Sequence, residues 1–259
     1  MTVTADKRRE QIVHEVSDNQ IVRVSDLSDL FGISEVSIRR DLERLENQGL
    51  LKRVHGGAVA VPHVSFGSSH LAKMRSHMEA KEHIGRAAAE LIQEGDRLIF
   101  DSGTTVAQVA HSIPGDLLNA GNLTAITASL PIVRALGSWK GVHLILLGGI
   151  FLLDYEIVVG PQTTANLEDL HADKVFLGTD GLTFSNGVTT ANLLEAEVDR
   201  VMVNVSTEII VVGDSSKIGV IGLTTILPLN RIDKLVTDSQ APADFVHSLR
   251  QQGVEVILV

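Results

Sequence analysis

At 259 residues, with a net charge of −10 and 44% hydrophobic but only 3% aromatic residues, the chain has the length for two domains and an aliphatic core. It contains no cysteine, which excludes disulfides, thiolate metal sites and a catalytic thiol. There is no signal-peptide apolar core at its start and no run near the roughly 20 apolar residues of a membrane span, so a soluble protein of the cytoplasm with no membrane partner is expected.

The acidity is uneven. Residues 1–60 carry nine Lys or Arg against ten Asp or Glu, and the remainder thirteen against twenty-two, so the acidic bulk falls in the longer part. A first helix is predicted over residues 7–17, with Ile12, Val13 and Val16 facing a small core. A short helix over 27–31 ends at Gly32, and Ser34 stands where an N-cap accepts hydrogen bonds from the free amides of the next helix. In that helix Ile38, Leu42 and Leu45 recur at i, i+4 and i+7 and face the core, which turns Ser37, Arg39, Arg40 and Arg44 to the side or to solvent. Hydroxyls and guanidiniums on the first turns of such a helix suit base edges and phosphates in a DNA major groove. Residues 50–54 and 58–61 read as short strands around His55-Gly56-Gly57, where glycine permits the positive φ of a tight hairpin. Lys52, Arg53 and His55 on this wing would lie beside the duplex backbone, and Lys7, Arg8 and Arg9 are counted with the same basic patch.

From Pro62 the chain becomes rich in Ser, Gly and His and reads as a linker to residue 78. Its histidines His63, His70 and His77, with His83 beyond, contain no H-x-x-x-H pair, so they are read as solvated and no metal site is assigned. A helix over 79–93 follows, with Ile84, Ala87, Ala88 and Leu91 on one face. Apolar runs at 97–100, 123–127, 142–147, 174–177 and 208–212 then alternate with helical stretches near 105–111, 130–136 and 192–205. A strand at 234–237, a helix at 242–251 and a strand at 254–259 extend the pattern, which predicts an α/β fold with a mostly parallel, Rossmann-like sheet.

Ligands of open α/β sheets bind beyond the carboxyl ends of the strands, and the residues there are polar. Asp101-Ser102-Gly103-Thr104-Thr105 places hydroxyls, a glycine and unpaired amides at a helix start, where an anion is favoured. It lacks the lysine and the length of a Walker A loop, and alone such a turn serves equally for capping. Thr127-Ala128-Ser129, Gly148-Gly149, Thr179-Asp180-Gly181 and Asp214 to Lys217 repeat the polar strand end. Carboxylates of Asp101, Asp180 and Glu195 would accept bonds from sugar hydroxyls, and Lys217 would supply a point charge.

Arg8, Val24 to Leu27, Phe31, Val36 to Leu42, Leu45, Gly49, Arg53 and His55 to Ala58 together resemble the winged helix-turn-helix that opens the DeoR family of bacterial sugar-responsive regulators. The resemblance extends along essentially the whole chain. It implies a DNA-binding domain over 1–61, a linker over 62–78, and an effector domain over 79–259 similar to ribose-5-phosphate isomerase that senses phosphorylated sugars. It further implies that Ser102, Gly103, Thr104 and Thr105 form a phosphate loop, and that Asp101, Asp180, Gly181, Glu195 and Lys217 line the sugar cleft. Where the family often has Thr-Asn, this chain has Thr127-Ala128, a change that bears on which sugar is accepted. The expected protein is a repressor of sugar catabolism or uptake genes. It binds double-stranded operator DNA as a dimer or tetramer, is modulated by a sugar phosphate, and has no cofactor and no catalytic residues. The rival reading is a sugar-phosphate isomerase with an appended DNA domain, but the glycine-run motif that isomerases carry near their lysine is missing. A third, ligand-independent DNA binder, leaves the polar strand ends without a role.

Overall fold

The structure, a computed structural model, describes residues 5–19, 21–47, 51–54, 56–59 and 76–259. His55, His63 and His70, and most of the expected linker, lie outside the described residues. The chain forms two compact units, residues 1–63 and 64–259.

The first unit runs α1 (Ala5–Asn19), β1 (Ile21–Arg23), α2 (Val24–Phe31), α3 (Glu35–Asn47), β2 (Lys52–Val54) and β3 (Gly57–Val59). Its core is Ile12 and Val16 of α1, Val24 and Leu27 of α2, and Ile38, Leu42 and Leu45 of α3, closed by Leu51 and Ala58. Each large aliphatic chain buried there contributes about 1.5–3 kcal/mol. Helix α2 begins at Val24, three residues before the expected start, because Val24 is itself a core residue whose amide is taken by the Gly56 carbonyl at 2.9 Å. It ends at Gly32 in the left-handed region (φ +63°). Ser34 then caps α3: its carbonyl accepts from the Ile38 amide at 3.1 Å and its Oγ from the Ser37 amide at 3.4 Å.

Strand β1 was not foreseen from the sequence. It pairs antiparallel with β3, Val22 opposite Ala58, in a sheet ordered β1-β3-β2. Three residues are too few to show period-two alternation, so only its partner reveals it. The two wing glycines also differ in purpose. Gly56 takes the left-handed turn (φ +78°), whereas a Cβ on Gly57 would lie 2.0 Å from the Val22 carbonyl oxygen. Gly57 is required by the approach of β1, not by a positive φ.

The second unit is a three-layer α/β sandwich. Its strands are β4 (Arg97–Phe100), β5 (Leu123–Thr127), β6 (Val142–Leu146), β7 (Ile150–Leu152), β8 (Ile157–Val159), β9 (Ala172–Leu177), β10 (Gly181–Thr183), β11 (Gly187–Thr190), β12 (Ser206–Val212), β13 (Thr224–Leu227), β14 (Lys234–Thr237) and β15 (Glu255–Leu258). Its helices are α4 (Met78–Ala89), α5 (Thr104–His111), α6 (Gly115–Asn119), α7 (Leu130–Leu136), α8 (Pro161–Glu168), α9 (Leu193–Asn204) and α10 (Ala243–Gln251). Seven strands form one sheet in the order β15-β14-β12-β9-β4-β5-β6, every neighbouring pair parallel.

Strand residues alternate between the two faces. Leu98, Phe100, Phe176 and Ile210 pack with α4, α5 and α7, and Phe100 stacks on Phe176 with ring centroids 5.4 Å apart. Ile99, Val175, Leu177 and Val211 pack with α8, α9 and α10. Two small antiparallel sheets, β7-β8 and β10-β11-β13, escaped the sequence reading because their strands are three or four residues long and two of them, β8 and β11, are buried at every position. The sheet order carries the functional consequence. From β4 the chain moves outward through β5 to β6, then returns to place β9 on the other side of β4. The switch point therefore lies between β4 and β9, and their carboxyl ends open a crevice there.

Candidate functional site

In the first unit, the three core residues of α3 fix which side chains face out. Ser37, Arg40 and Arg44, at i, i+3 and i+7, share one stripe, and Arg40 and Arg44 are exposed and make no ion pair among the described residues. Val36 stands beside this stripe and is 59% exposed. It escaped the sequence reading; the available signal was a β-branched residue off the apolar face, in the first turn of the helix. Arg39 is placed differently. It sits on the flank and bonds Glu35 at 2.6 Å, an exposed i, i+4 pair. Ser34 and Ser37 share a hydroxyl–hydroxyl bond of 3.1 Å. On the wing, Lys52 and Arg53 are exposed, and Glu46 accepts from the Arg53 amide at 2.8 Å.

Arg8 and Arg9 do not join the basic patch. Arg8 Nε and Arg9 Nη1 both donate to the buried carboxylate of Asp41, at 2.8 and 3.2 Å, and so fasten α1 to α3. Their charge is already answered inside the unit, which leaves a smaller cationic surface than the residue count suggested.

In the second unit, the β4–β9 switch point opens into a polar cleft. Asp101, Ser102, Gly103, Thr104 and Thr105 line it, and so do Asp180, Glu195 and Lys217 of the expected set. Gly103 holds φ +101°, ψ +159°, a conformation that only glycine adopts readily, and no side chain caps the first turn of α5. The amides at that helix start consequently face the cleft with the partial positive charge of the helix dipole behind them.

Hydrogen bonds lock the wall in place. Asp101 accepts from the Ser102 amide and, at 2.9 Å, from the Gly178 amide beyond β9, so it braces the loop. Glu195, on the first turn of α9, accepts from Ser102 Oγ at 3.1 Å and Thr190 Oγ1 at 3.3 Å. Asn192 caps that helix through the amides of Leu194 and Glu195. Asp180 Oδ2 accepts from the Ala191 amide at 3.0 Å. Lys217 stands half-buried on a single 3₁₀ turn and makes no ion pair among the described residues.

Two expectations are corrected here. Gly181 does not line the cleft; it lies at the start of β10, where a Cβ would come within 2.3 Å of the Val220 carbonyl oxygen, so its role is backbone packing. Ala128 is buried in the core with its carbonyl accepting from the Val158 amide at 2.8 Å, and it too is no part of the cleft wall. Two charged residues that the sequence reading missed do line it: Lys81 of α4 and Asp199 of α9. Charged residues in mid-helix read as solvated from sequence, and only the layer packing shows that these are buried. Burial and the negative charges of Asp101 and Glu195 push the Asp199 carboxyl well above the usual carboxylate range.

A helix-turn-helix with an exposed arginine stripe, followed in the same chain by a doubly wound α/β unit with a polar switch-point cleft, defines a two-part ligand-responsive DNA-binding regulator. The DeoR-like helix-turn-helix domain matches residues 8–63, and the DeoR C-terminal sensor domain matches residues 76–239. The chain belongs to the DeoR family. It is 38% identical over 257 residues to a protein of Escherichia coli O157:H7 named as an aga operon transcriptional repressor, covering 98% of this chain and 93% of that protein. It is 34% identical over 251 residues to the HTH-type transcriptional regulator GlpR of Haloferax volcanii, covering 97% and 96% respectively. Among solved structures, ribose 5-phosphate isomerase A of Methanocaldococcus jannaschii aligns over 55% of each chain at 14% identity with a TM-score of 0.41.

Proposed function

We propose that this protein is a transcriptional repressor of sugar catabolism or uptake genes, which holds operator DNA through its first unit and is modulated by a phosphorylated sugar in its second. The observation that carries this reading is the switch-point cleft, where a helix start without a side-chain cap stands opposite Asp180, Glu195 and Lys217. Ser102, Gly103, Thr104 and Thr105 receive the phosphate, Lys217 adds its charge, and Asp180 and Glu195 accept from hydroxyls. Asp101 shapes the loop. In the first unit, Ser37, Arg40 and Arg44 face the base edges, with Val36 available to a thymine methyl. Ser34, Arg39, Lys52, Arg53 and His55 contact the duplex backbone.

The first unit is not basic overall, so one copy grips weakly, and the protein acts as a homo-oligomer, a dimer or tetramer reading paired half-sites through two helices. Such a regulator works in the cytoplasm. The relatives are named as transcriptional regulators and not as enzymes, and the cleft is read as a receptor rather than a catalytic centre. The test is selection of a duplex from a random library, followed by gel shift at low salt across a panel of sugar phosphates. The expected result is a specific duplex whose affinity one ester changes by roughly 5- to 150-fold. Failure to select any duplex would overturn the DNA assignment, and interconversion of the added sugar phosphates would favour the enzyme.

A further inference from the structure

We propose that a second copy of this chain docks on an uncharged face beside the cleft, formed by Leu193 and Leu194 at the start of α9 and by Val220, Ile221 and Leu223 in the loop before β13; this rests on the reading of the protein as a homo-oligomer. The five side chains are 37–59% exposed. They come from two segments, residues 181–194 and 218–230, that contain no Asp, Glu, Lys or Arg in a chain of which 21% is charged. Burial accounts for the lack of charge in β11, but not at these five exposed positions.

The two segments are tied together through their backbones. The Gly222 amide donates to Thr189 Oγ1 at 2.8 Å, and a Cβ on Gly222 would fall 2.7 Å from the Thr190 carbonyl oxygen. The Gly219 amide donates to the Leu182 carbonyl at 2.9 Å. The loop is thus pressed along β10 and β11, and Ile221 and Leu223, on either side of Gly222, stand beside the turn that runs from Thr190 into Leu193 and Leu194. Asp180, Glu195 and Lys217, the charged residues next to these segments, line the cleft instead. Glu197, one turn beyond Leu193, is exposed and marks the edge of the face.

Five such side chains, each about half exposed, present on the order of 400 Å² of apolar surface, more than singly scattered residues would leave. A standard interface buries about 800 Å² on each partner, somewhat over half of it apolar, so this face supplies the apolar share. Its lack of charge selects a copy of itself as the occupant. A two-fold interface lays a patch on the same patch, so a charge near the axis meets its own like charge, whereas leucine, isoleucine and valine match themselves. Another exposed apolar cluster of this unit, Leu146, Ile150, Phe151 and Leu153, fails on that count, because Asp154 is exposed directly beside Leu153.

The test is sedimentation velocity on the full-length protein over a wide concentration range, with Ile221→Asp and Leu193→Asp on the proposed face and Phe151→Asp on the other cluster. Circular dichroism melts establish that each variant is folded, and Leu223→Ser serves where an aspartate unfolds the chain. Each variant of the proposed face should halve the parental mass, with a dissociation constant raised at least about a hundredfold, since like charges facing each other in an interface repel strongly. Folded Ile221→Asp and Leu193→Asp proteins that keep the parental mass overturn the assignment, and a drop confined to Phe151→Asp moves the interface to the other cluster. A parent that is monomeric at every concentration removes the oligomer reading itself, and this surface with it.

Discussion

Asp199 on α9 and Asp101 at the end of β4 are two buried carboxyls hydrogen-bonded to each other at the cleft wall. Burial raises both, and the bond between them favours the proton on Asp199 with Asp101 accepting. Asp199 Oδ1 is buried with no hydrogen-bond partner among the described residues, as suits a carboxyl that does not carry a full charge. The pair lets Asp101 brace the loop without placing a second full charge on the cleft wall.

Folded-state values above the ordinary 3.8 mean that the native protein holds protons the unfolded chain has released. This contribution to stability is complete below the ordinary value and is lost as pH rises through the folded values. Asp199→Asn keeps a donor and removes the ionisation. Its melting temperature should exceed that of the parent by a few degrees at about pH 8, and the difference should close toward about pH 5. Thermal melts across that interval decide it, and equal slopes for both proteins would refute the shared proton.

Asp41 holds α1 to α3 by accepting from Arg8 and Arg9. Asp41→Ala removes the carboxylate shared by two half-buried guanidiniums and should cost the first unit about 3 kcal/mol. Circular dichroism should show an earlier melting step for that unit, with the transition of the second unit unmoved.

Glu35 holds Arg39 in an exposed ion pair, which a duplex contacted by Arg39 would have to displace. Glu35→Gln should strengthen binding to any duplex by up to about fivefold, because an exposed pair is worth at most about 1 kcal/mol and a negative charge leaves the surface. Arg40→Ala should instead cost about 1–3 kcal/mol on the selected duplex and relax its sequence preference, while Arg53→Ala should reduce the salt dependence by about one phosphate. Fluorescence anisotropy at several salt concentrations separates the three outcomes.

Gly103 has open space where a Cβ would go, so Gly103→Ala tests backbone conformation without a clash. At φ +101° the added methyl should cost about 1–3 kcal/mol and deform the loop. The melting temperature should fall, and the stabilisation gained from a bound phosphate ester should shrink or vanish. An unchanged response to the ester would place the phosphate elsewhere.

Most of the second unit's main sheet was legible in the chain because buried parallel strands are continuous apolar runs, as at Ile209 to Val212. The short strands β1, β7 and β10 were not, since three residues carry no period and depend on partners distant in sequence. The turn from β4 into α5 was readable for a local reason: Gly103 and the two threonines after it mark a strand-to-helix turn. Gly181 misled because its glycine answers a backbone contact that no neighbouring residue announces.

What the sequence alone determined is what a single helix or turn decides: the capped helix α3, the outward stripe of Ser37, Arg40 and Arg44, and the anion-ready start of α5. Tertiary structure decided everything that required two distant segments to meet. Asp101 finds the Gly178 amide across 77 residues of chain only because β9 returns beside β4. The same return gives buried Asp199 a proton-sharing partner, and the packing of α4 on α5 sets Lys81 into the cleft. Periodicity reports how a residue faces its own helix; burial and pairing depend on the surface that covers it.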